Sequence, residues 1–125
     1  MEVNTSQSTT INTGGINMKP LGNLDIAEFC NQMHLMLSSG ISGIEALHLL
    51  LEDVQDDAEK ELLEKMIEKI ESTGYFYDAA EYVQVFPDYA LHMIKLGEET
   101  GTLDKVMGAL ASHYTREENI SNMIK

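Results

Sequence analysis

From Leu24 to the C-terminus the sequence is a succession of helical hydrophobic periods, each bounded by start and stop signals. No segment keeps a period-two alternation and no two β-branched runs flank a hairpin turn, so the apolar stripes can be buried only helix on helix. Asp25 with Glu28 has capping-box spacing, and Ile26, Phe29, Cys30, Met33 and Leu37 follow until Ser38, Ser39 and Gly40 close a first helix. "SGIE", Ser42 to Glu45, is a strict capping box with Ile41 placed to staple onto Ala46; this second helix turns Ile44, Leu47, Leu50, Leu51 and Val54 inward. Asp56 with Glu59 opens a third, which presents Ala58, Leu62, Leu63, Met66, Ile67 and Ile70 to one side and is stopped by Gly74. A short aromatic-bearing fourth helix is expected over about Tyr77 to Val83, and "VFPD" resets the chain because proline disfavours helical backbone at the residue before it. The fifth helix runs from about Asp88 to Glu99. The sixth starts near Thr102 and turns Leu103, Val106, Met107, Leu110, Tyr114 and Ile120 inward. The expected fold is all-α, a compact six-helix bundle over residues 24–125. Residues 1–23, rich in Asn, Thr, Ser and Gly without a hydrophobic period, are expected to be a disordered tail. Met18 is a candidate natural start, which would make residues 1–17 a leader.

The charge narrows the function classes. The net charge is −13, and because Glu2 and Lys19 cancel, all of the excess lies beyond residue 24. Such a domain repels phosphate backbones and anionic lipid, so nucleic acid is a poor partner and a basic protein surface a natural one. One cysteine, Cys30, allows neither an intrachain disulfide nor a thiolate cluster. The chain lacks a run of roughly 18 apolar residues and a basic-then-apolar signal peptide, so the chain as given is expected to be soluble and cytoplasmic.

Candidate chemistry is thin. His34, His48, His92 and His113 fall on different helices, with no HxxxH or HExxH pair to assemble a metal site. Cys30 lies on the apolar face of the first helix, where a structural thiol is expected rather than a nucleophile. Neighbouring carboxylates, Asp56/Asp57 and Glu98/Glu99, point about 100° apart on a helix and do not converge on one pocket. The eight methionines fall mostly on core stripes. No catalytic residue, cofactor site or metal site follows. The chain reads as a non-enzyme.

"LGEETGTLDKV", residues 96–106, holds two glycines in a helical context. A phosphate loop would need a lysine and a preceding strand, and neither is present. On a helical wheel Ala90, Met93, Ile94, Gly97 and Gly101 share one face, so Gly97 lets another helix approach closely. Glu98 falls on the half-buried flank and needs a hydrogen-bonding partner, expected at the joint between helices five and six, while Glu99 faces water. Gly101 suits a left-handed stop, Thr102 an N-cap, and Asp104 the positive end of the sixth helix.

Two stretches carry a family resemblance. "LDIAEFCNQMHLMLSSGISGIEAL" resembles the opening of the F-type platform proteins of bacterial type II secretion and type IV pilus machines, where a Phe- and Gln-bearing apolar helix leads to a small-Gly-Ile turn and an "xxEAL" helix. "TGYFYDAAEYVQVFPDYALHMIKLGEETGTLDKVMGALASHY" resembles the second signature of that family, with Gly97, Glu98, Thr100, Gly101 and Leu103 as its most specific block. The resemblance covers about residues 24–125. It departs at Tyr75–Tyr77, where the family has a Ser/Leu-rich start of helix four, and in its acidity.

The resemblance implies a non-enzymatic cytoplasmic domain, the first of two, in a polytopic inner-membrane protein. "REENISNMIK" then lies where members approach their first membrane span, after residue 125. It implies a platform for pilin or pseudopilin assembly that works with a hexameric assembly ATPase and other inner-membrane components. The acidic side of the third helix, Glu61, Glu64 and Glu68, is the first candidate for the ATPase-facing surface, and the sixth helix for transmitting force. Apolar edge residues Tyr75, Phe76 and Tyr77 make a homodimer an option. The alternative is a free-standing soluble helical adaptor or regulatory protein-binding module, distinguished by whether an apolar stretch follows Lys125 in the gene.

Overall fold

A computed structural model describes residues 18–124. The helices are Asn23–Ser38 (α1), Gly43–Asp53 (α2), Asp57–Thr73 (α3), Phe76–Tyr82 (α4), Asp88–Thr100 (α5) and Leu103–Ile124 (α6), and no strand occurs among the described residues. The all-α, six-helix expectation is met. The leader and most of the expected tail, residues 1–17, lie outside the described residues.

Local chemistry sets several helix ends. Ser42 caps α2: its hydroxyl accepts from Glu45 N–H at 3.2 Å, and its own N–H donates to Glu45 Oε1 at 3.3 Å. The Asp56 carboxylate accepts from Glu59 N–H at 2.9 Å and starts α3. Each such cap stabilises by about 1 kcal/mol over alanine. Gly40, Gly74 and Gly101 all have positive φ at the ends of α1, α3 and α5.

Four local expectations are corrected. α1 begins at Asn23 with Gly22 as N-cap and no side-chain cap, so Asp25 and Glu28 form no capping box. Instead Ile26 N–H donates to the Gly22 carbonyl at 3.0 Å, and Asp25 sits in the first turn, where its charge favours the helix dipole. Residues 18–22 are not loose tail: Leu21 N–H donates to the Val85 carbonyl at 3.0 Å, and Met18 and Leu21 pack against the core. Phe76 is no edge residue. At 4% exposure it is core, its ring 3.3 Å from where a Cβ on Gly43 would stand at the head of α2, whereas Tyr75 is 61% exposed. Ala58 and Ile120 point to solvent because α3 has only begun at Ala58 and α6 has left the bundle by Ile120.

The core gathers one stripe from every helix. Ile26 and Met33 of α1, Leu47 of α2, Met66 of α3, Ile94 of α5 and Met107 and Leu110 of α6 are fully buried, and α4 adds Ala79 and Ala80. Each large side chain stabilises by roughly 1.5–3 kcal/mol relative to exposure. No polar or charged residue is buried among the described residues, so the interior needs no polar network. α1 and α6 run antiparallel: His34 lies against Asp104 and Gly108, while Leu24 and Ala27 lie against Ala111 and Thr115. Small residues at this contact let the two axes approach. From Glu117 to Met123, α6 carries no buried residue and projects past the bundle.

Candidate functional site

The joint is built around a close approach. A Cβ placed on Gly97 would stand 2.7 Å from Val106 Cγ2, 3.0 Å from Val106 Cβ and 3.2 Å from the Leu103 Cα. The first turn of α6 therefore crosses directly over Gly97, and only a residue without a side chain permits it. Leu103 is half-buried and packs against the core from the same turn.

The stop has two bonds. Thr102 N–H donates to the Gly97 carbonyl at 2.8 Å and Gly101 N–H to the Glu98 carbonyl at 3.4 Å, a Schellman pattern that needs the left-handed backbone of Gly101 at φ +72°. Thr102 stands at the N-cap position of α6, its carbonyl accepting from Val106 N–H at 3.0 Å. The Thr100 hydroxyl donates to the Leu96 carbonyl at 3.0 Å and lies 2.8 Å from the Thr102 hydroxyl. Thr100 thus links the last turn of α5 to the restart.

Glu98 is half-buried and Glu99 exposed, as the wheel suggests, but the partner of Glu98 is not at the α5–α6 joint. Its two carboxylate oxygens accept from Phe76 N–H at 2.7 Å and Tyr77 N–H at 2.8 Å, the first two amides of α4. The reason is supply and demand. α4 has Tyr75 at its N-cap with no side-chain cap, so its leading N–H groups lack an intrahelical acceptor. A carboxylate there completes them and places negative charge at the positive end of the helix. α4 is held at two further points, where Lys95 lies 5.5 Å over the Tyr77 ring and Lys69 lies 4.4 Å over the Tyr82 ring.

The arrangement holds rather than reacts. Both oxygens of Glu98 are engaged with backbone donors. Cys30 is fully buried, and that burial pushes its thiol up to about 12, well away from a thiolate nucleophile.

Glu61, Glu64 and Glu68 are exposed along α3 and are not gathered with the joint. Lys65 Nζ lies 3.8 Å from Glu68, while Lys69 covers the Tyr82 ring. Sequence reasoning missed His34, whose ring crosses α6 and whose Nδ1 lies 2.7 Å from the Asp104 carbonyl. A carbonyl can only accept, so Nδ1 carries a proton in this contact. A Cβ on Gly108 would stand 2.9 Å from the same Nδ1, so a glycine inside α6 was the available signal.

The joint and the helices around it match a family model described as "Type II secretion system (T2SS), protein F" over residues 29–125. The chain belongs to the type II secretion system protein F family. Among its curated relatives, the type IV pilus assembly protein PilC of Thermus thermophilus is 33% identical over 101 residues, covering 77% of this chain and 25% of that protein. PilC of Myxococcus xanthus is 26% identical over 102 residues, 81% of this chain and 24% of its own length. The type II secretion system protein F of Aeromonas hydrophila is 24% identical over 94 residues, 75% of this chain and 24% of its own. The chain therefore spans about a quarter of the length of these relatives.

Among the described residues of this family member, no helix is long and apolar enough to cross a membrane. Nor do three His, Cys, Asp or Glu side chains come together there as a metal site would need.

Proposed function

We propose that residues 24–125 form a cytoplasmic, non-enzymatic domain of an inner-membrane platform protein in a type II secretion or type IV pilus machine. In this reading the domain docks the assembly ATPase and other inner-membrane components and supports pilin or pseudopilin assembly. Family membership and the names of the relatives support the machine. The observation that carries the role is the joint. Gly97, Glu98, Thr100, Gly101 and Leu103 bind α4, α5 and α6 to one another, and α6 then projects beyond the bundle. A rigid helix anchored at one end in this way carries a displacement of the bundle to whatever follows its other end.

The acidic face of α3, with Glu61, Glu64 and Glu68 exposed, supports docking to a basic surface. The test is co-purification of the ATPase with the full-length protein carrying Glu61→Lys, Glu64→Lys and Glu68→Lys. Loss of at least about tenfold in recovered ATPase, with the domain still folded by circular dichroism, is the expected result. Unchanged recovery would remove α3 as the docking face.

A further inference from the structure

A cleft of about 770 Å³ opens between the N-terminal half of α1, the α2–α3 turn and the first turns of α3. Its floor is apolar and includes Leu21, Phe29, Leu50, Val54, Leu62 and Val85. The first four of these remain half-exposed although they pack against the core. Its rim is acidic. Asp25, Glu28, Asp53, Asp56, Glu59 and Glu61 are all exposed around it, against the single amino group of Lys19. Of these carboxylates Asp56 is engaged in capping α3. None of the joint residues Gly97 to Leu103 reaches the cleft, so it is a separate surface.

Charge and shape together select the occupant. An uncharged apolar ligand would cover the floor and leave the crowded carboxylates with no counter-charge. A small cation would do the reverse and leave the floor wet. Residues 1–17 of this chain carry a single charged side chain, Glu2, of the same sign as the rim. A helix with apolar anchors at i, i+3/i+4 and i+7 and Lys or Arg on its flanks satisfies floor and rim at once.

We propose that this cleft is the docking groove for a basic amphipathic helix of a partner protein. It goes beyond the α3 face considered above, since only Glu61 is common to both, and the groove would hold such a helix whether or not it belongs to the ATPase.

The test is a ¹H–¹⁵N NMR titration of the full chain with a synthetic peptide of roughly 18 residues, about five turns, with leucines at the a and d positions and lysines elsewhere. A second peptide replaces the lysines with glutamines. Shifts confined to Asp25–Phe29, Leu50–Val54 and Glu59–Leu63 are expected, with the glutamine peptide binding at least about tenfold more weakly. Glu28→Lys with Glu61→Lys should weaken the lysine peptide by at least about tenfold, and Glu64→Lys with Glu71→Lys, an equal change of charge outside the groove, by less than about threefold. Shifts scattered over every acidic face, or equal losses from the two pairs, would overturn the proposal. Equal binding of the glutamine peptide would assign the cleft to uncharged apolar ligands and overturn it too. Removal of residues 1–17 that moves the same groove resonances and tightens peptide binding would assign the cleft to the chain's own N-terminal segment, with the same consequence.

Discussion

Replacing Glu98 with alanine removes both acceptors of the α4 N-terminus, at 2.7 and 2.8 Å, and the charge that faces its dipole. A hydrogen bond to a charged group contributes about 1.5–3 kcal/mol, which would put the pair at about 3–6 kcal/mol if neither amide could find water. Glu98 is only half-buried, however, so water reaches part of the gap, and an overall loss of about 2–3 kcal/mol is expected. Glu98→Gln keeps one acceptor oxygen but turns an NH2 group toward the helix, for a loss of about 1–2 kcal/mol. Urea unfolding followed by circular dichroism reads both as a lower midpoint at an unchanged slope. Amide hydrogen exchange gives the local readout: Phe76 and Tyr77 should lose protection in Glu98→Ala before the buried turns of α1 do. A loss below about 0.5 kcal/mol, with these two amides as protected as in the unaltered chain, would refute the capping role.

Gly97→Ala should destabilise by up to about 2 kcal/mol, because overpacking against Val106 and the Leu103 backbone outweighs the roughly 1 kcal/mol that alanine gains in a helix. Adding Val106→Ala should make the double variant less destabilised than the sum of the singles, as a denaturation cycle measures. Alkaline pH offers a separate check. The Cys30 thiol ionises at its ordinary 9.0 in the unfolded chain but only near 12 when buried, so its contribution is intact below pH 9 and declines as pH rises toward 12. The slope approaches about 1.4 kcal/mol per pH unit, with the raised hydroxyl of Tyr114 adding in the same direction, and Cys30→Ala should flatten it. Gln84 has positive φ, so Gln84→Gly should raise stability by up to about 1 kcal/mol in the same urea assay.

What the sequence revealed about this fold depended on how far each interaction reaches. Ser42 with Glu45 and Asp56 with Glu59 act over three residues, and glycine at 40, 74 and 101 acts on its own backbone, so those helix ends were legible. The wheel also placed Gly97 against a neighbouring helix and Glu98 on a half-buried flank. It could not say which donors Glu98 meets, because Phe76 and Tyr77 lie 22 and 21 residues away and come near only through packing. His34 and Asp104, 70 residues apart, are the same case. The start of α1 failed for another reason: Gly22 offers no side-chain cap, and Asp25 with Glu28 imitates a capping box inside the first turns of the helix. The acidic groove needed three helices in place before its floor and rim could be seen as one surface.

The most direct test of the joint as a structural device uses the full-length protein in a cell that depends on it. Glu98→Gln is compared there with Glu98→Gln combined with Gln84→Gly, whose gain of up to about 1 kcal/mol offsets part of the loss without restoring the carboxylate. Secretion or pilus output should fall with the single variant and recover in the double, in step with stability measured on the isolated chain. Recovered stability with output still lost would contradict it, and would mean that the Glu98 carboxylate itself acts on a partner.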